Sequence, residues 1–118
     1  MAIKNFKDIF AWQKAHQLAL DVYKITKKYP KDELYGLVSQ TRRAVVSVAS
    51  NLVEGFKRAG ERDDSRFCNI AQASLEEVRY QILLANDLGY ITDSEYERIE
   101  KLAEETAKLI YFWIKGKK

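Results

Sequence analysis

Apolar residues recur at every third or fourth position along four stretches of the chain, a spacing typical of amphipathic helices. The four predicted helices span residues 8–28, 33–57, 64–88 and 93–114, with approximate ends. Short polar connections join them, so the pattern predicts an all-α fold, an antiparallel up-down-up-down four-helix bundle. A chain of 118 residues is long enough to form a core of its own, which predicts a single domain over residues 1–118.

Polar residues and a glycine mark where these helices begin and end. Asp8 and Asp32 are the predicted N-caps of the first two helices, because a carboxylate accepts hydrogen bonds from the free amides of a first helical turn. Gly89 is predicted just past the third helix, where a left-handed backbone favours glycine. Thr92 and Glu95 have the spacing of a capping box at the start of the fourth helix.

The predicted second helix carries a polar stripe beside its apolar face. The stripe consists of Gln40, Arg43, Ser47, Asn51, Glu54 and Arg58. A solvent-exposed face is typically richer in Lys and Glu, so this composition indicates a half-buried surface. We therefore expect a structural polar cluster formed by Arg43, Ser47, Asn51, Glu54, Ser74 and Glu77.

The position of the mid-chain turn predicts which of these residues meet. If the turn centres on Gly60, antiparallel neighbours in the second and third helices have numbers that add to about 120. Arg43 is then expected to form a buried contact with Glu77. Ser47 is expected to lie near Ser74.

The same region carries a family resemblance. Its motif is Gln40-x-x-Arg43-Ala44, Ser47, Asn51-Leu52-Val53-Glu54-Gly55 and Arg58, and further matches are Trp12-Gln13-Lys14-Ala15, Glu33-Leu34-Tyr35-Gly36-Leu37 and Ser74-Leu75-x-Glu77. This set resembles the bacterial 23S rRNA intervening-sequence protein family, although Ala73 stands where that family usually has glycine. The resemblance implies a small four-helix bundle that assembles as a ring-shaped homopentamer.

Charge is distributed unevenly along the chain, whose net charge is +3. Residues 1–60 carry 11 Lys and Arg against 5 Asp and Glu, a balance of +6, whereas residues 61–118 carry 9 against 12, a balance of −3. The basic half is a candidate surface for RNA or DNA. Alternatively, the acidic hairpin neutralises it by packing against it. The candidate nucleic-acid contacts are Arg42, Lys57, Arg58 and Arg62, with Arg42 expected to point outward and Arg43 inward.

The predicted helices also carry more apolar surface than the core of a single four-helix bundle can bury. The first helix is apolar over more than half its circumference, and residues 111–114 place four large side chains around one helical turn. Such helices are usually buried on most sides, which predicts contacts between copies of the chain. Loose packing of aromatic residues at the end of the bundle is the alternative.

The sequence contains few of the residues and motifs that usually form catalytic or metal-binding sites. The only histidine, His16, is expected to be a packed residue, and the lone Cys68 has no histidine in its own helix. No Glu-x-x-His motif or glycine-rich phosphate loop occurs. We therefore expect no catalytic residue, cofactor, metal or small-molecule substrate. A hydrolase using Glu54 and Asn51 is the remaining enzymatic hypothesis.

Two other hypotheses concern binding. The first is a homo-oligomeric adaptor that contacts nucleic acid, or a nucleic-acid-associated protein, through a basic rim. The second is a structural or protein-interaction ring with no nucleic-acid role. The lack of an apolar N-terminal run or a membrane-length apolar segment predicts a cytoplasmic protein without a membrane partner.

Overall fold

Four α-helices account for most of the computed structural model, which describes residues 3–59 and 64–116. The helices are α1 (Phe10–Thr26), α2 (Ser39–Lys57), α3 (Asp64–Asp87) and α4 (Asp93–Gly116). No β-strand occurs within the described residues, and the bundle measures 45 × 25 × 19 Å. The predicted all-α four-helix bundle is confirmed. The alternating direction of the helices and the single domain over 1–118 stay predictions.

Each helix packs against two others. α2 lies against α3 and α1, and α4 lies against α1 and α3. The core between them is built from aliphatic side chains at the predicted three- and four-residue spacing. Its largest fully buried members are Leu18, Val22, Ile25, Val45, Val48, Leu52, Leu75, Val78, Ile82, Ile99 and Ile110.

Three threonines lie inside this apolar core with their hydroxyl groups satisfied. Thr26 donates to the carbonyl oxygen of Val22 at 2.7 Å. Thr41 and Thr106 donate in the same way to the carbonyl four residues before them, at 2.8 and 2.7 Å. Because each hydroxyl is paired within its own helix, the helices bury these side chains without leaving an unsatisfied polar group.

The first helix begins later than predicted. Phe6–Asp8 form a 3₁₀ turn capped by Asn5, whose side-chain oxygen accepts a hydrogen bond from the Lys7 amide at 2.9 Å. Ile9 then adopts an extended conformation and is the N-cap of α1. The predicted N-cap role of Asp8 is wrong, because Asp8 belongs to the preceding turn.

The predicted helix 33–57 consists of three segments. Lys31–Glu33 form a 3₁₀ turn and Leu34–Val38 form a π-helical turn, after which α2 begins at Ser39. The carboxylate of Glu33 accepts from the Leu37 amide at 3.1 Å. Glu33 therefore provides the cap that was assigned to Asp32, and the assignment to Asp32 is wrong.

The connection between α3 and α4 closely follows the prediction. Gly89 has a φ of +81°, as expected of the residue that ends a helix in the left-handed conformation. The Thr92 amide donates to the Glu95 carboxylate at 2.9 Å, and the Glu95 amide donates to the Thr92 hydroxyl at 3.1 Å. The predicted capping box is confirmed.

Candidate functional site

The middle of the α2 polar stripe lies against α3, whereas Gln40, Arg43 and Arg58 of the same stripe are exposed. The Ser47 and Ser74 hydroxyl groups are 2.8 Å apart and share a hydrogen bond between the two helices. Asn51 supports this contact by donating its amide to the Ser47 carbonyl at 2.9 Å and to the Ser47 hydroxyl at 3.1 Å. The predicted proximity of Ser47 and Ser74 is confirmed.

Beside these serines, α2 and α3 border a shallow groove, which we call the polar groove. It is lined by Gln40, Arg43, Ala44, Ser47, Ser74, Glu77 and Gln81. Small side chains at Ala44, Ser47 and Ser74 let the helices approach. Gln81 is the most buried polar side chain of the groove after Ser74.

The two charged residues of the polar groove do not form the expected buried pair. Arg43 and Glu77 are both exposed, and the Arg43 guanidinium donates to the Ser39 hydroxyl one turn earlier in the chain, at 2.9 Å. Helical side chains lean toward the N-terminus, and an exposed position keeps each charge hydrated. The prediction of a buried Arg43–Glu77 contact is therefore wrong.

Arg42 and Arg43 have the opposite orientations to those predicted. Arg42 is half-buried against α1, where its Nε donates to the Thr26 hydroxyl at 2.9 Å. Its guanidinium also lies 4.7 Å from the centre of the Tyr23 ring. The expectation that Arg42 points outward and Arg43 inward is wrong, because Tyr23 and Thr26 offer Arg42 a partially buried site.

The other basic candidates lie at the end of α2. Lys57 and Arg58 are exposed. The Arg58 guanidinium lies 5.1 Å from the centre of the Phe67 ring, and its Nε is 3.7 Å from the half-buried Glu54 carboxylate. Arg62 lies outside the described residues. The end of α2 thus presents two cations whose side chains are accessible.

A cluster of ionisable side chains ties the π-helical turn to the α3–α4 connection. The Tyr90 hydroxyl donates to the second Glu33 carboxylate oxygen at 2.8 Å. The hydrogen bonds from the Leu37 amide and from Tyr90 hold the pKa of Glu33 below its usual value. The same bond raises the pKa of Tyr90. These contacts are structural, since they orient backbone segments.

Several large apolar side chains point away from the core. Those at least half exposed are Phe10, Leu20, Leu34, Tyr35, Tyr80, Leu88, Tyr111 and Phe112. The segment 111–114 is divided, because Trp113 and Ile114 pack against the core. Leu88 is 51% exposed, since it follows the last residue of α3.

Tyr35 is 91% exposed and was not singled out from the sequence. It was counted within a continuous helix, whereas it lies in the π-helical turn, which rotates the chain relative to α2. Tyr80 was missed for a different reason. It lies on the outer side of α3 beside charged residues, where an apolar side chain gives no periodic signal.

The described residues offer little for catalysis or metal binding. Cys68 is fully buried, and His16 is exposed and stacks on Trp12 at 5.0 Å between ring centres. Among residues 3–59 and 64–116, no group of three His, Cys, Asp or Glu side chains could hold a metal ion. In the same ranges, none of the helices has the length and apolar character needed to cross a membrane.

Comparison with known proteins gives a family and a structural relative. The sequence profile of the 23S rRNA-intervening sequence protein family matches residues 7–112. A protein of unknown function from the S23 ribosomal protein family of Bacteroides thetaiotaomicron has a similar crystal structure, with a TM-score of 0.81 and 27% sequence identity. The similarity covers 92% of this chain and 98% of that protein. No curated protein sequence matches the chain.

Proposed function

The chain belongs to the 23S rRNA-intervening sequence protein family, and we propose that it is a non-enzymatic protein that assembles with copies of itself and acts as an adaptor. In this proposal a pentameric ring presents a basic rim to nucleic acid or to a nucleic-acid-associated protein. The observation that carries the proposal is the number of large apolar side chains that the bundle leaves exposed. These side chains occur on α1, α3, α4 and the π-helical turn.

Self-association follows from the cost of leaving this apolar surface in water. Phe10 is 71% exposed, Tyr35 91% and Phe112 63%. Burying apolar surface contributes about 25 cal/mol for each Å² removed from water, so contacts between copies would be stabilised by these side chains. Isolated exposed apolar residues are common, but contiguous ones are typical of an interaction surface, and one groove is lined by the exposed Tyr23, Leu34, Tyr35 and Val46. The first helix and residues 111–114 are the expected contributors.

The basic rim rests on the end of α2. Lys57 and Arg58 are exposed beside the segment that contains Arg62, so three cations lie close together in the chain. In a ring this group repeats around the axis, and weak contacts with one polyanion reinforce one another. Arg42 contributes less than the sequence indicated, since its guanidinium is held against Tyr23 and Thr26.

The surroundings of the cysteine, the histidine and the residues of the hydrolase hypothesis support a non-enzymatic role. Cys68 is inaccessible in the core, and His16 is stacked on Trp12. Asn51 and Glu54, which carried the hydrolase hypothesis, are engaged with Ser47 and Arg58. Both contacts join residues four positions apart in the chain, and neither places a base beside a nucleophile.

A protein-interaction ring without nucleic acid is the second candidate. The polar groove favours it, because the groove carries both an exposed cation and an exposed anion, Arg43 and Glu77. A surface of mixed charge suits a polypeptide better than a polyanion.

Two measurements test the proposal. Light scattering at micromolar concentration is expected to give an oligomer, and a stable monomer would contradict self-association. Binding to single-stranded RNA and DNA at two salt concentrations is expected to weaken with salt, with a logarithmic slope of about −0.7 for each phosphate contact.

A variant and a matched control locate the rim. Replacing Lys57, Arg58 and Arg62 together by alanine is expected to abolish polyanion binding while leaving the oligomer intact. The control replaces three exposed cations elsewhere, Lys4, Arg98 and Lys101, by alanine. Binding that is absent at low salt, or that both variants reduce equally, would favour the protein-interaction ring.

A further inference from the structure

We propose that opposite sides of the bundle are complementary and bind each other in neighbouring copies, so that the α1–α2 side of one copy contacts the α3–α4 side of the next. The inference rests on the proposed self-association and adds two grooves to the contributions expected from the first helix and residues 111–114. The helices are ordered α1, α2, α3, α4 around the bundle, which places these two sides opposite each other.

The α1–α2 side carries a groove that we call the basic groove. Its principal lining residues are Tyr23, Leu34, Tyr35, Arg42, Arg43 and Val46. The four apolar members are each at least 41% exposed. Arg42 and Arg43 contribute two guanidinium groups to this groove. The Arg42 group contacts the Thr26 hydroxyl and the ring and carbonyl oxygen of Tyr23, and the Arg43 group contacts the Ser39 hydroxyl. These partners are neutral, so within residues 3–59 and 64–116 they leave both positive charges uncompensated.

The α3–α4 side carries a groove of opposite charge, which we call the acidic groove. Its principal lining residues are Glu76, Arg79, Tyr80, Leu83, Glu100 and Glu104. Arg79 lies between two of these carboxylates, 2.7 Å from Glu100 and 3.2 Å from Glu76. The Lys108 ammonium lies 3.8 Å from the Glu104 carboxylate. Three carboxylates therefore face one guanidinium and one ammonium, which leaves a net charge of −1. Tyr80 is 61% and Leu83 40% exposed.

The two grooves match in charge and in apolar character. Each combines exposed tyrosine and aliphatic side chains with charges of one predominant sign, and the signs are opposite. Docking one groove on the other would bury the apolar side chains and bring Arg43 toward the Glu104 and Glu76 carboxylates. These carboxylates are 59% and 65% exposed, and within their own chain they pair with Lys108 at 3.8 Å and Arg79 at 3.2 Å. Opposite charges orient such a contact, while aromatic side chains supply most of its energy.

A second copy of this chain explains both grooves with one contact. A nucleic acid could stack on Tyr35 and pair with Arg43, but it would leave the acidic groove unoccupied and would be repelled by it. A contact between two different surfaces is heterologous, so it passes from copy to copy and closes into a ring where the surfaces are suitably inclined.

Two complementary variants test the contact. In the first, Tyr35→Ser and Arg43→Glu disable the basic groove; in the second, Tyr80→Ser and Glu104→Gln disable the acidic groove without restoring an opposite charge to Arg43→Glu. All four side chains are exposed, so both variants are expected to keep the helical circular dichroism spectrum of the wild type. Each variant alone is expected to lose oligomers. An equimolar mixture is expected to form a dimer and nothing larger, because one intact pair of grooves remains.

A control variant removes one exposed apolar side chain and reverses one charge outside both grooves, with Leu88→Ser and Arg98→Glu. It is expected to have the wild-type mass. Groove variants that keep the wild-type mass would overturn the inference, as would a basic-groove variant that loses RNA binding but remains oligomeric. A monomeric wild type would instead overturn the proposed self-association and the inference with it.

Discussion

The Ser47 and Ser74 hydroxyl groups lie 2.8 Å apart and join α2 to α3 across 27 residues of sequence. Both side chains are small, so they permit a close approach of the two helices that larger residues would prevent. The Asn51 amide, 3.1 Å from the Ser47 hydroxyl, satisfies a further acceptor position there. This contact sets the alignment of α2 with α3 and thereby the shape of the polar groove.

We predict that Ser47 and Ser74 contribute jointly to stability. Replacing either by alanine should lower the free energy of unfolding by about 1 kcal/mol, because a partly buried hydroxyl loses its partner. The two changes together should cost less than the sum of the single changes, since they remove the same bond. Urea unfolding of the four proteins measures this coupling. Additive losses would show that the hydroxyl groups act independently.

Helix positions and local caps could be read from the sequence because both depend on short-range rules. Apolar spacing places the helices within a few residues, and the Thr92–Glu95 capping box and the positive φ of Gly89 follow from residue type. The alignment of Ser47 with Ser74 also followed from placing the centre of the mid-chain turn at Gly60.

Side-chain orientations at the candidate site could not be read in the same way. Arg42 and Arg43 are one residue apart, or about 100° around a helix, and each borders a different neighbouring helix. Which of the two becomes half-buried depends on Tyr23 and Thr26, which belong to another segment. The π-helical turn interrupts the predicted continuous helix 33–57 and leaves Leu34 half exposed.

We predict that the Thr92 hydroxyl stabilises the start of α4. Thr92→Ala should destabilise the protein by about 1 kcal/mol, because the Glu95 amide loses its acceptor. For a chain of this size the midpoint of thermal unfolding should fall by about 4 °C. Thr92→Ser retains the hydroxyl and should remain close to the wild type. Equal losses for alanine and serine would point to the threonine methyl group instead.

We predict that Glu33 makes stability depend on pH on the acidic side. Hydrogen bonds from the Leu37 amide and the Tyr90 hydroxyl lower the pKa of Glu33 in the folded protein. The stabilisation is therefore present above the unfolded value of about 4.3 and is lost as the pH falls through the lowered folded value. Glu33→Gln should flatten this part of the curve of unfolding free energy against pH.

The control for Glu33 is Asp93→Asn, which removes an exposed carboxylate at the start of α4. Urea unfolding at a series of acidic pH values compares the three proteins. If Glu33→Gln keeps the full acidic dependence of the wild type, the hydrogen bonds to its carboxylate do not contribute to stability.

Tyr29 should produce the opposite dependence at alkaline pH. Its ring is 6% exposed and lies 5.4 Å from the Tyr90 ring. Burial, assisted by the negative charge of Glu95, raises the pKa of Tyr29 to about 12. The ordinary value in an unfolded chain is about 10, so the folded protein retains a proton that the unfolded chain releases.

Stability from Tyr29 is thus complete below about pH 10 and is lost as the pH rises toward 12. Tyr29→Phe keeps the ring and its packing but removes the ionisable hydroxyl. Its unfolding free energy should fall less steeply than that of the wild type over this interval, and the absorbance of tyrosinate should show one fewer late-titrating group. Parallel stability curves for the two proteins would mean that the Tyr29 hydroxyl ionises as readily in the folded bundle as in the unfolded chain.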